Sequence, residues 1–195
     1  MKRFFREKGS KTIVIGVIGT HAGTGVTHFS IALANYISSV VAKEVIYLSM
    51  DHKKELQNFM GSEQKKFEIM GVSYLSDATS IELSEEWNNI YDYMILDMGH
   101  NYENNRTEFL RCDKKIIIGS LSPWKKQYYD TIMHSIEVEK NYKNWDYYAI
   151  FGIKEDKKEF KKKFDISIRT LPFLEDSFHI KKEQYAFFQE ASFFS

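Results

Sequence analysis

An apolar, β-branched run, Thr12–Ile18 (TIVIGVI), leads directly into a glycine-rich break, Gly19–Gly25 (GTHAGTG). A second apolar stretch, Thr27–Val41 (THFSIALANYISSVV), follows at once. A continuous apolar run of this kind suits a strand buried on both faces, as in a parallel sheet. The stretch after the break reads as a helix that is apolar nearly all round. Strand, glycine loop and helix in that order form an anion site. Backbone N–H groups and the positive end of the helix converge, and glycine lets a phosphate come close to the chain. This order constrains the fold more than any other feature of the chain.

The rest of the chain repeats the alternation. Further strands are expected at Val45–Leu48, within Phe67–Leu75, and at Tyr93–Leu96, Lys115–Gly119, Tyr147–Ile153 and Ile166–Leu171. Helices are expected at Lys53–Met60, around Ser84–Asn89 with Ser84 as cap, and at Pro123–Glu139, Lys154–Lys163 and Ile180–Ala191. Strands alternating with helices imply an α/β fold with a single doubly wound, mostly parallel sheet flanked by helices. No repeat or linker divides the chain. A basic tail over 1–11 followed by one α/β domain over 12–195 is the expected organisation.

Composition narrows the function. Lysine plus arginine number 27 and aspartate plus glutamate 27, so the net charge is zero. That balance argues against a protein built to grip a nucleic-acid backbone, and specific nucleic-acid binding is not expected. Cys112 is the only cysteine, which removes an internal disulfide and multi-cysteine zinc sites and fits a buried small hydrophobe in a cytoplasmic setting. The start MKRFFREKGSK before TIVIGVI imitates a leader peptide, but the apolar run is short and contains Gly16. It reads instead as a polar tail before a buried strand. Five basic residues with Phe4 and Phe5 make peripheral contact with an anionic membrane face one use for that tail.

Three motifs compete for the loop. A P-loop requires G-x-x-x-x-G-K-[ST]. Gly25 and Thr27 fit, but Thr20 stands at the first glycine and Val26 at the lysine. The dinucleotide pattern G-x-G-x-x-G fails because His28 occupies its last glycine. The pattern G-x-x-x-G-x-G fits Gly19, Gly23 and Gly25, as in short-chain dehydrogenases that bind NAD(P). Those enzymes also carry a Tyr-x-x-x-Lys pair, and none of the 12 tyrosines here has a lysine four residues on. A glycine turn with no ligand is the remaining alternative.

The segment IVIGVIGTHAGTGVTHFSIALANYIS resembles the opening of the MinD/ParA (SIMIBI-class) P-loop ATPases, whose deviant loop reads K-G-G-x-G-K-[ST]-[ST]. On that alignment His21 stands at the signature lysine, and Ala22 and Gly23 at the two small residues. Thr24 falls at the variable position, Gly25 at the last glycine and Val26 at the P-loop lysine. Thr27 takes the place of the magnesium-binding hydroxyl and His28 that of its neighbour. YDYMILDMG (91–99) resembles the family's second acidic strand, which makes Asp97 the implied magnesium-site carboxylate. VIYLSMD (45–51) is similar to the segment after the second strand, with Ser49 for the first carboxylate and Asp51 kept as the implied catalytic one. ISIRTLPFLED (166–176) is similar to the strand and proline that flank adenine, and Pro172 falls on that proline. CDKKIIIGSLSPWK (112–125) also resembles the pilus-localisation relatives of the TadZ/CpaE type, which have atypical loops.

The resemblance implies a Mg-ATP or Mg-ADP site, or none if the loop is non-functional. Phosphoryl transfer rests on positioning and charge stabilisation, and each lost electrostatic donor costs about 10² to 10³ in rate. Val26 brings no charge, and His21 brings one only when protonated. Little or no hydrolysis follows. The expected role is a scaffold, positioning or regulatory factor, with a protein partner in a larger assembly and a homodimer as the implied associations. The alternative is an interaction module that binds no nucleotide; an active ATPase ranks behind both. Each residue also has an ordinary reading: Thr27 as a helix cap, Asp97 as a cap of the next element at a strand end, Asp51 as a turn residue, and His21 and His28 as exposed histidines; a His/Asp metal site from His21, His28, Asp51 and Asp97 is a further alternative. The terminal aromatics Phe187, Phe188, Phe193 and Phe194 are expected to dock on the body or a partner.

Overall fold

The computed structural model describes residues 11–51, 55–59, 61, 63–87 and 91–190. The basic tail before residue 11, most of the Lys53–Met60 segment's start, and Phe193 and Phe194 lie outside them. A single eight-stranded sheet organises the chain, in the order β3-β4-β2-β5-β1-β6-β7-β8. Its strands are β1 Ile13–Gly19, β2 Val45–Ser49, β3 Lys66–Ile69, β4 Val72–Leu75, β5 Tyr93–Asp97, β6 Lys114–Gly119, β7 Asp146–Ala149 and β8 Arg169–Thr170. All pairings are parallel except β3 with β4.

The continuous apolar strands have two cores to fill. Val14 and Ile18 of β1 join Ile46, Leu48, Met94, Leu96 and Ile117 on one face. Ile15 and Val17 join Tyr47, Ile95, Ile116 and Ile118 on the other. Helices cover both faces: α1 Val26–Tyr36, α2 Glu55–Phe59, α3 Ser80–Glu86, α4 Tyr102–Arg111, α5 Lys126–Ile136, α6 Lys154–Phe164 and α7 Lys182–Glu190. A short π-helical turn, Ile37–Val41, extends α1. The aromatic end of the chain docks inward. Phe188 has no exposure and stacks on Tyr36 and Phe29, with ring centroids 4.8 and 6.2 Å away. Cys112 is buried against Gly16, and burial pushes its thiol up to about 12.

Four local expectations change. Phe67–Leu75 holds a hairpin rather than one strand, because Met70 and Gly71 both adopt positive φ (52° and 77°) and turn the chain in two residues. Ser84 is not a cap. Thr79 caps α3 with Glu82 in a reciprocal box, and Lys65 on Glu82 holds that carboxyl down to about 2. Ser84 instead bonds the Ser80 carbonyl inside the helix. The Pro123 helix begins at Lys126, after a turn closed by the Ser122 carbonyl. The Asn-rich stretch 101–111, which carries no expected element, forms α4, capped by Asn101 on the Asn104 amide.

The strand ends nearest the loop are tightly packed. Tyr129 of α5 is fully buried and donates to the Tyr148 carbonyl at 2.6 Å, with the Ile117 carbonyl 3.0 Å from the same hydroxyl. A Cβ on Gly119 would lie 2.3 Å from the Tyr129 ring and 2.7 Å from the Thr20 methyl. Gly119→Ala is therefore expected to cost about 1–3 kcal/mol by overpacking, read from the urea midpoint. An unchanged midpoint would show that ring and loop give way freely.

Candidate functional site

The carboxyl end of β1 enters the glycine loop between two anchors. The Gly19 amide donates to the Gly99 carbonyl at 2.8 Å, and the Thr20 amide to the Ile118 carbonyl at 2.9 Å. The loop thus hangs between the chain leaving β5 and strand β6. Gly23 and Gly25 take φ of 80° and 78°, a region costly for any residue with a Cβ. Gly25 occupies the N-cap of α1 with no side chain capping the helix. Free amides at that end are the donors an anion needs.

Thr27 is the second residue of α1, so it does not cap the helix. Its hydroxyl lies near the Asp97 carboxylate across the sheet end and favours the charged form. Asp97 has no exposure. It accepts from the Tyr47 hydroxyl at 2.7 Å and from the Gly99 amide at 3.0 Å. Burial pushes its pKa above the usual carboxylate value despite these donors, with Asp51 adding a smaller push in the same direction. Asp51 stands past β2, half-buried, accepting from the Ser49 hydroxyl at 2.9 Å. A Cβ on Gly99 would come within 2.7 Å of the Asp51 Cβ, so the two chain turns touch. Thr27, Asp51 and Asp97 therefore gather at one place although 70 residues separate the first from the last in sequence.

The residues aligned with the two lysines turn elsewhere. Val26 is 5% exposed and belongs to the α1-side core, its methyl lying over Gly19. Thr24 is also buried, its hydroxyl tucked against Gly19. His21 stacks on Tyr128 of α5, with centroids 4.8 Å apart and planes 20° apart, and meets the Thr20 hydroxyl through Nδ1 at 2.9 Å. Burial lowers its pKa, and the Lys125 and His100 charges lower it further, so the ring is neutral at pH 7. Ala22 and Gly23 are exposed at the loop tip. His28 is exposed on α1 and donates Nε2–H to the Leu174 carbonyl at 2.7 Å, which ties the helix to the segment after Pro172. The histidines are thus separated, and no group of three or more His, Cys, Asp or Glu able to hold a metal occurs among the described residues. Pro172 follows β8, half-buried, beside the anchor from the Leu171 amide to the Ala149 carbonyl.

The sequence does not mark Tyr47 and Gly99, the two hydrogen-bond donors to Asp97. Tyr47 reads as one more apolar strand residue, and only the β2–β5 register, which pairs Tyr47 with Ile95 and Ser49 with Asp97, brings its hydroxyl to the carboxylate.

The sequence matches no family model and no curated protein. Solved structures share the fold. One is a plasmid partition protein from Borrelia burgdorferi B31 bound to AMPPNP, at 12% identity and TM-score 0.62, covering 90% of this chain and 93% of that one. A second is a ParA family ATPase from Chlorobium tepidum, at 14% identity and TM-score 0.61, covering 86% of each chain. A third is the MinD cell division protein of Aquifex aeolicus, at 15% identity and TM-score 0.59, covering 83% and 82%. The chain has the MinD/ParA-like fold of the P-loop ATPases. Among the described residues no helix is long and apolar enough to cross a membrane.

Asp97 provides a test of the site's wiring. A carboxyl whose pKa rises on folding is better tolerated protonated. Its contribution to stability is fully present below the unfolded value near pH 4 and is lost as pH rises through the folded value. Tyr47→Phe removes a donor that favours the charged form. It is expected to cost about 2 kcal/mol at pH 7 and clearly less at pH 4, by urea unfolding at both. Equal losses would mean that the hydroxyl does not serve the carboxylate.

Proposed function

We propose that this protein is a MinD/ParA-like nucleotide-binding protein that acts as a scaffold, positioning or regulatory factor with weak or absent ATP hydrolysis. One observation carries the reading: the Thr27 hydroxyl beside the buried Asp97 carboxylate at the foot of a positive-φ glycine loop. Loop amides from Ala22 to Thr27, with His28 alongside, would hold the phosphates. Magnesium would sit on the Thr27 hydroxyl, with the buried Asp97 acting through a water. An oxygen-only donor set of this kind suits that ion. Pro172 would flank the base. Bound magnesium supplies charge neutralisation at the phosphates. Asp51 is the carboxylate nearest the site that could orient a water.

Turnover is a different matter. Neutral His21 stacked on Tyr128 and buried Val26 leave the loop with no side-chain cation at either aligned position. Losing one electrostatic donor costs about 10² to 10³ in rate, so binding outlasts catalysis. The reading includes one α/β domain over 12–195 behind a basic tail over 1–11. It also includes a cytoplasmic location, at the inner membrane face where the tail touches lipid, and a role beside a protein partner or a second copy. The likeness of residues 112–125 to pilus-localisation proteins points to pilus assembly or secretion as the setting.

A second reading, an interaction module without nucleotide, draws on exposed aromatics at the same sheet edge. Trp124 is 83% exposed, Phe173 85% and Phe151 66%. They ride on loops that follow the neighbouring strands β6, β7 and β8.

Calorimetry with Mg-ATP and Mg-ADP separates the two. The first reading expects binding in the micromolar to millimolar range, weakened by EDTA; no heat at millimolar nucleotide would leave the second. Val26→Lys restores the aligned cation and is expected to raise Mg-ATP affinity at least about tenfold. A folded variant with unchanged affinity would mean the loop is closed to phosphate.

A further inference from the structure

Strand β6 brings a second stretch of chain to the glycine loop. The Thr20 amide donates to the Ile118 carbonyl at 2.9 Å, so the chain leaving β6 starts beside the loop. It runs through residues 121–124 to Lys125, which stands at the N-cap of α5. Hydrogen bonds fix this turn. The Ser122 carbonyl accepts from the Lys125 and Lys126 amides, both at 2.9 Å, and the Ser120 hydroxyl accepts from the Ser122 amide at 3.2 Å. The Lys125 side chain therefore leaves from a defined base.

Three side chains meet here. His21 of the loop stacks on Tyr128, with ring centroids 4.8 Å apart. The Lys125 ammonium lies over the same Tyr128 ring, 5.2 Å from its centroid. After burial, the Lys125 charge is the largest influence lowering the His21 pKa, so the ammonium is within electrostatic range of the loop. The neighbouring lysines face carboxylates: Lys126 is 3.8 Å from Glu159, and Lys163 is 2.8 Å from Asp130. Lys125 is exposed and, among the described residues, pairs with no carboxylate. Its contact with an exposed aromatic ring is weaker than a charge-assisted hydrogen bond to phosphate, so a bound phosphate would draw the ammonium off the ring. Neutral His21 supplies a flat face and no charge.

We propose that Lys125 is the side-chain cation that meets a di- or triphosphate group seated on the glycine loop, in place of the lysines the loop lacks. The proposal rests on the reading of the loop as a phosphate site. Loop amides at the start of α1 suit one phosphate, and an ammonium displaced toward α5 suits a second one in the same ligand. The gain is in binding rather than turnover. An exposed lysine on a flexible stem is not held in the geometry that phosphoryl transfer demands.

The test is calorimetry with Mg-ATP and with pyrophosphate on the wild type, Lys125→Gln, Lys125→Arg and Lys126→Gln. Lys125→Gln should weaken both ligands about tenfold, the effect of one lost charged contact. Lys125→Arg keeps the charge and should stay within about threefold of wild type, and Lys126→Gln within about twofold. Without ligand, imidazole proton shifts should give a higher His21 pKa in Lys125→Gln than in the wild type. That readout places the ammonium at the loop whether or not a nucleotide binds. An unmoved His21 pKa overturns the proposal. So does wild-type binding that Lys125→Gln leaves unchanged or that Lys126→Gln weakens equally, and both results leave the nucleotide reading standing. No binding of either ligand by the wild type overturns the proposal and the nucleotide reading together.

Discussion

A carboxylate with no exposure to solvent holds the sheet end together. Asp97 closes β5, takes hydrogen bonds from Tyr47 of β2 and the amide of Gly99, and lies near the Thr27 hydroxyl of α1. These groups belong to three separate stretches of chain, counting its own. Gly99 in turn accepts the first amide of the glycine loop. The loop's position, the start of α1 and the register of β2 on β5 are thus coupled through one buried carboxylate. Burying that charge is unfavourable without partners, and a buried carboxylate that lost a donor would cost several times an ordinary hydrogen bond. The arrangement persists because each partner is fixed by a regular element rather than by a free side chain.

The strands and their buried character were legible because apolar runs such as TIVIGVI and YMIL have no other use than a sheet covered on both faces. The loop was legible because glycine spacing between a strand and a helix has few physical meanings. The hairpin over 66–75 was not, since it turns on Met70 adopting positive φ, which sequence patterns do not advertise. Helix α4 hid behind asparagines, although Tyr102, Asn105 and Phe109 are buried at helical spacing. Among site residues, Thr27 and Asp97 were readable by position in motifs. Tyr47 was not, because its role depends on a register between strands some 50 residues apart.

Charge placement separates what this site can hold from what it can do. A phosphate needs donors, and backbone amides at a helix start supply them without any side chain. Transfer of a phosphoryl group needs cations that follow charge as it moves. Here the two aligned positions are filled by a valine in the core and a neutral histidine stacked on a tyrosine. Both are packed, so neither is simply an absent lysine. The loop's side chains stabilise the fold around it and leave backbone amides as the donors it can offer.

The most direct measurement is a crystal structure of the protein with Mg-AMPPNP. Phosphates seated on the amides of residues 22–27, with magnesium on the Thr27 hydroxyl and Asp97 beside it, are the predicted result. A loop without phosphate at saturating nucleotide, or a nucleotide bound away from Thr27, would contradict the account.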